Sequence, residues 1–104
     1  MIRQFDVVPN PVRAGRDERP LLVAVQHNFH RDLPTRVLVP LLTAAAKVEQ
    51  SRLSPVLTVL GKKYVLLATD IVTLALHRLG SPIANLEQDR DRIIAALDLV
   101  FTAV

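Results

Sequence analysis

Histidine is the side chain best suited to acid–base or metal chemistry near neutral pH, and the chain holds three. His27 and His30 stand at an H-x-x-H spacing after an apolar run, which would turn two imidazoles toward one metal ion. A closed site needs a third or fourth ligand, and no nearby His, Asp or Glu has a matching spacing. The pair therefore reads as two loop histidines, and no metal or cofactor is expected. His77, beside Arg78 at the end of another apolar run, reads as a surface residue. Cysteine is absent, which excludes a cysteine nucleophile, a thiolate zinc site and a disulfide framework. Ser51, Ser54 and Ser81 lie outside any G-x-S-x-G elbow, and the glycines stand singly, so no phosphate-cradling loop is present. Asp70 follows Thr69 and precedes an apolar run. It reads as the cap of a turn between strands, with a buried carboxylate of raised pKa as the alternative. No catalytic residue emerges, and an enzyme is not expected.

Binding chemistry is better represented. Phe29 sits in a polar loop between His27-Asn28 and His30-Arg31-Asp32, where it either anchors a partner or folds back on the core. Leu97, Val100 and Phe101 are followed only by Thr102-Ala103-Val104, an abrupt apolar end that either a two-fold dimer interface covers or, for Leu97 above all, the protein's own sheet does. Arg13, Arg16, Arg19 and Arg31 are the basic side chains of the polar loops. Acidic residues are interleaved with them, as on a solvated charged loop. The sequence pI of about 10.0 overstates the basic character, because the formal charge is only +3. Six Arg and four acids fall within residues 1–36, and seven bases and six acids within 37–104, so no basic block stands out. Direct sequence-specific binding to nucleic acid is not expected.

These residues need elements to position them. A chain of 104 residues is one domain, with half its residues hydrophobic and 4% aromatic. Prolines and glycines punctuate the first three quarters, separating short Val/Leu/Ile runs that read as strands: Gln4–Val8, Leu21–Gln26 and Arg36–Leu42. Pro9 to Pro20 is a polar loop. Pro40, which cannot donate a ladder hydrogen bond, predicts a bulge or an edge. Thr43–Arg52 predicts a short helix. Val56–Leu60 and Tyr64–Thr69 flank Gly61-Lys62-Lys63 as a hairpin with a three-residue loop. Ile71–Leu76 is almost continuously apolar, which predicts a strand buried on both faces. After Pro82 the apolar period becomes helical, and one amphipathic helix of about four turns is predicted, with Asn85 and Gln88 capping its start. The N-terminus lacks the apolar region of a signal peptide, and the most apolar stretch, Tyr64 to Leu76, is too short to span a membrane. A soluble, cytoplasmic protein is expected, with no membrane partner.

Several of these segments share a resemblance. Leu22-Val23-Ala24-Val25-Gln26 resembles the F-V-D-V-Q strand of CcdB-type toxins, and Arg36-Val37-Leu38-Val39-Pro40-Leu41 their R-x-V-I-P-L strand. Leu53-Ser54-Pro55-Val56 is similar to their L-x-P-V hairpin entry, and Thr69-Asp70 to their T-D-M run. Ala84-Asn85-Leu86 and the helix ending Leu99-Val100-Phe101 align with the family's last helix without a gap. The resemblance covers nearly the whole chain, as a single toxin domain over residues 1–104. It implies a mainly β fold, an SH3-like barrel with a C-terminal α-helix, and a homodimer. It further implies a toxin of a type II toxin–antitoxin pair that binds the A subunit of DNA gyrase, traps the cleaved-DNA complex and is neutralised by a cognate antitoxin. In the family a C-terminal Trp-Gly-Ile makes the gyrase contact. Those positions are Thr102, Ala103 and Val104 here, preceded by Phe101, and none is identical to the family residue. The antitoxin-binding positions implied are Phe29, His30, Asp98 and Phe101. The same fold class includes MazF-type endoribonucleases, and a homologue that binds antitoxin without poisoning gyrase is a third reading.

Overall fold

The Val/Leu-rich run after Pro34 becomes the spine of the protein. A computed structural model describes residues 1–44 and 50–102. Among them the chain forms seven strands and one α-helix: β1 (Asp6–Pro9), β2 (Leu21–Ala24), β3 (Thr35–Thr43), β4 (Val56–Val59), β5 (Lys62–Leu66), β6 (Val72–Ala75), β7 (Ala84–Asn85) and α1 (Arg90–Phe101). All strand pairings are antiparallel, in the order β4-β5-β3-β2-β1-β7. β3 is long enough to serve two neighbours on one side: Thr35–Leu38 pair with β6, and Leu41–Thr43 pair with β5. The sheet closes almost into a barrel, and the expected mainly β fold with one C-terminal helix is the fold observed.

Alternation along the strands divides the core in two. Val7, Leu21, Val23, Val39 and Leu41 join Leu57, Leu66, Leu86, Ile93 and Ala96 in the larger cluster, under α1. Val8, Leu22, Ala24 and Leu38 point the other way, onto Ile2, Val72, Leu74, Leu76 and Leu79. Burial on both faces therefore belongs to β2 and the centre of β3, not to the Ile71–Leu76 run as the composition predicts. β6 pairs only with β3, its residues are half-buried or exposed, and Leu76–Arg78 leaves it as a 3₁₀ turn that carries the exposed His77.

Pro40 departs from expectation in an instructive way. It is fully buried inside β3 and sits opposite Leu22. The Val25 amide donates to the Val37 carbonyl, so odd-numbered residues of β3 turn their backbone groups toward β2, and even-numbered ones away from it. Pro40 thus lacks its N–H at the seam where β3 passes from β6 to β5. There its carbonyl accepts the Leu67 amide at 3.0 Å. A proline costs little in a central strand when the ladder is interrupted at that residue anyway.

The hairpin is tighter than its sequence implies. β4 and β5 are joined by Leu60-Gly61 alone, with φ of 50° and 81°, the two positive values of a type I′ turn. Lys62 and Lys63, expected in the loop, belong to β5 and pair with Val59 and Thr58. Thr43, expected to begin a helix, ends β3. Residues 45–49, the centre of that expected helix, lie outside the described residues, and Ser51–Ser54 forms a turn. The C-terminal helix is shorter than predicted, at 12 residues or about 18 Å. Ala84–Asn85 is spent on pairing with β1. The Asn85 side chain accepts the Glu87 amide at 2.8 Å, just ahead of a 3₁₀ turn at Glu87–Asp89. α1 itself has Asp89 at its N-cap position, without the side-chain cap expected from Asn85 and Gln88. None of the helices among the described residues is long and apolar enough to cross a membrane.

Candidate functional site

Two aromatic side chains stand out from the surface, Phe29 at 79% exposure and Phe101 at 72%. Leaving a phenyl ring in water forfeits the stabilisation its burial would give. Each residue's backbone also belongs to a helical turn, which lowers the entropy cost of meeting a partner.

The Phe29 loop is built from short-range bonds. Asn28–His30 makes one 3₁₀ turn, capped by His27, whose Nδ1 accepts the Phe29 amide at 2.9 Å. The Gln26 side chain donates to the His30 carbonyl, and the Gln4 amide donates to Asn28 Oδ1 at 2.8 Å. The rings of Phe29 and His30 meet edge to face, 5.2 Å apart at 88°. This turn resolves the two readings of Phe29 in favour of the exposed one. It also commits one His27 nitrogen to the backbone. Among the described residues no three His, Asp or Glu side chains cluster as metal ligands.

Beneath the loop lies a residue whose role no sequence pattern announces. Arg36, 2% exposed, opens β3 and turns its guanidinium inward. Its Nε donates to the Ile2 carbonyl at 3.2 Å, Nη1 to Leu33 and Thr35 at 2.8 and 2.9 Å, and Nη2 to Arg31 at 2.9 Å. All four acceptors are backbone carbonyls, so a full charge is buried against peptide dipoles alone. One side chain thereby ties the N-terminal segment, the end of the Phe29 loop and β3 together. An Arg between a polar loop and an apolar strand reads as surface, and only the convergence of carbonyls in space reveals this role.

Phe101 closes α1. Ile93 and Ala96 are buried beneath the helix, whereas Ile94, Leu97 and Val100 are only partly covered, so the apolar stripe continues toward the exposed ring. Thr102 ends the helix, with its amide and its hydroxyl both donating to the Asp98 carbonyl at 2.7 and 2.6 Å. The Asp98 side chain is exposed. Ala103 and Val104 lie outside the described residues. Asn28, adjacent to Phe29, lines a polar cavity with Arg90 at the start of α1, while Phe101 lies eleven residues further, about 16 Å along the axis. Within one chain, Phe29 and His30 therefore stand near one end of α1, and Asp98 and Phe101 at the other.

The remaining candidates resolve into ordinary roles. Asp70, expected to cap a turn with its side chain, instead pairs with Arg19 across the surface, and only its amide closes the turn, onto Leu67. Arg16 donates to the Pro11 carbonyl within its own loop.

The family's model for the CcdB protein matches residues 4–103, which takes in every strand, both exposed aromatics and the whole helix. The chain belongs to the CcdB family. This is the toxin family that the strand and helix motifs resemble. No curated protein matches this CcdB family member. Among solved structures, it is similar to an endoribonuclease in complex with its cognate antitoxin from a mycobacterial species, with a TM-score of 0.75 and 18% identity over 98% of this chain and 96% of that one. It is likewise similar to the Mycobacterium tuberculosis toxin MazF-mt6, with a TM-score of 0.71 and 15% identity over 96% of this chain and 97% of that one. At these identities the likeness establishes a common fold.

Proposed function

We propose that this CcdB family member is a cytoplasmic toxin that binds the A subunit of DNA gyrase and traps the cleaved-DNA complex, acting by binding and not by catalysis. Membership over residues 4–103 supports the reading, and Phe101 at the exposed end of α1 is the observation that carries it. A homodimer would bring two copies of Phe101 and the following Thr102, Ala103 and Val104 to one tip, with the half-covered Leu97 and Val100 buried between protomers. Phe101 is the last residue of α1 and Thr102 its C-cap, which supports this reading. Without a tryptophan, the contact rests on the Phe101 ring and the aliphatic Val104.

The antitoxin would cover Phe29 and His30 at one end of α1, and Asp98 and Phe101 at the other. A partner reaching both must span about 16 Å or more, as an extended or folding-on-binding segment does. Competition for Phe101 would then couple antitoxin binding to release of gyrase. A cognate antitoxin in complex with the mycobacterial neighbour supports a partner of this kind.

A second reading is an endoribonuclease, favoured by the neighbour of that name on the same fold. It predicts RNA cleavage that depends on an arginine of the charged loops. Purified protein incubated with gyrase, ATP and plasmid, and in parallel with RNA, separates the two: linear DNA released by detergent supports the gyrase reading, and cleaved RNA with intact plasmid supports the other. Tight antitoxin binding with neither activity marks a homologue that no longer poisons gyrase.

A further inference from the structure

The charge that is spread evenly in sequence is not spread evenly in space. A cleft of about 650 Å³ opens between the Pro9–Pro20 loop, the end of β3 and the start of β5, lined by Arg16, Asp17, Thr43, Lys62, Lys63 and Tyr64. The loop is pinned over β3 by the Thr43 amide, which donates to the Glu18 carbonyl at 2.9 Å. Tightening of the hairpin to two residues places Lys62 and Lys63 at the start of β5, where both line the cleft. Among the described residues none of the three cations forms an ion pair, in contrast to Arg19, Arg90 and Arg92. Against the single carboxylate of Asp17, the lining carries a surplus of two positive charges among the described residues.

We infer that this cleft is a binding site for a terminal phosphate group, taken from a free nucleotide or from the 5′ end of a nucleic-acid strand. A phosphate monoester carries about −1.5 to −2 charge at neutral pH, which matches the surplus. The volume lies in the range of small-ligand sites, roughly 300–1,000 Å³. Two lysine ammonium groups supply point charges that fit a phosphate, and Thr43 and Tyr64 add hydroxyl groups to the lining. A single terminal phosphate needs no basic block along the sequence. The lining shares no residue with those assigned to gyrase and antitoxin, so its test is independent of that reading.

Calorimetric titration at low salt tests this with inorganic pyrophosphate, AMP, adenosine, and a short oligoribonucleotide with and without a 5′ phosphate. Pyrophosphate and AMP should bind and adenosine should not, and binding should weaken as salt is raised. Preference for the 5′-phosphorylated strand over AMP identifies a strand end as the source; the reverse order identifies a free nucleotide. The double variant Lys62→Ala/Lys63→Ala, checked for an unchanged melting temperature, should bind about tenfold more weakly or worse. Arg78→Ala, outside the cleft, should bind as the parent does. Amide shifts of the unmodified protein on adding pyrophosphate should cluster at residues 16–17, 43 and 62–64. The inference is overturned if no phosphate probe binds at millimolar concentration, if adenosine binds as well as AMP, or if shifts fall elsewhere. A glutamate-rich peptide that binds through the same lysines while the phosphate probes do not would also overturn it.

Discussion

Replacing Arg36 with methionine tests how the Phe29 loop is held. The methionine keeps much of the volume but removes the donors that reach the carbonyls of Ile2, Arg31, Leu33 and Thr35. Hydrogen bonds to charged groups contribute roughly 1.5–3 kcal/mol each, and a buried acceptor left bare costs about 1–3 kcal/mol. Ile2 is buried and its carbonyl stays dry, whereas Arg31 and Leu33 are exposed and their carbonyls regain water. Relief from burying the guanidinium offsets part of the loss. The net cost should be about 2–4 kcal/mol, a large share of the roughly 5–15 kcal/mol that stabilises a small domain. Arg36→Lys should not rescue it, because one ammonium cannot serve four divergent carbonyls. Urea denaturation reads the cost from the shifted midpoint. Amide exchange should quicken at Arg31 and Leu33, whose amides close the loop. A methionine variant within about 0.5 kcal/mol of the parent, with unchanged exchange in the loop, would refute the reasoning.

Three further substitutions probe other parts of the account. Leu60→Asn relieves a non-glycine residue from a left-handed conformation at an exposed position, and should stabilise by about 1 kcal/mol. Calorimetry should show this as a rise of roughly 4–8 °C in Tm, and an unchanged or lower Tm would count against the type I′ assignment. Ile93→Ala opens a cavity under α1 and should cost about 2–5 kcal/mol by denaturant titration, whereas a cost below about 1 kcal/mol would show that the helix packs loosely. Phe101→Ala should change folding stability by less than about 0.5 kcal/mol yet weaken binding to a fragment of the gyrase A protein at least tenfold. Equal affinity in a surface binding assay would remove Phe101 from the contact.

Periodicity made β2, β3 and the C-terminal helix legible, because burial writes apolar residues at the spacing of each element. The misplacements share a cause: the partner of each segment is decided by topology. Ile71–Leu76 is as apolar as β2, but it pairs with half of β3 and stays at the rim. Ala84–Asn85 has capping chemistry, yet β1 claims it as a strand. Leu60 has no preference for positive φ, so nothing in its type announced a two-residue turn. Within the candidate site, the exposed aromatics were readable because few rings exist to choose from. Arg36 and the Arg16–Lys62–Lys63 wall were not, since each is assembled from residues far apart in sequence.

Presentation of the helix tip to gyrase is open to a direct test in the cleavage assay with purified gyrase, ATP and supercoiled plasmid. Linear DNA should rise with protein concentration, be suppressed by the cognate antitoxin and be lost in Phe101→Ala. Unbroken plasmid at saturating protein, together with no measurable affinity for a fragment of the gyrase A protein, would contradict it.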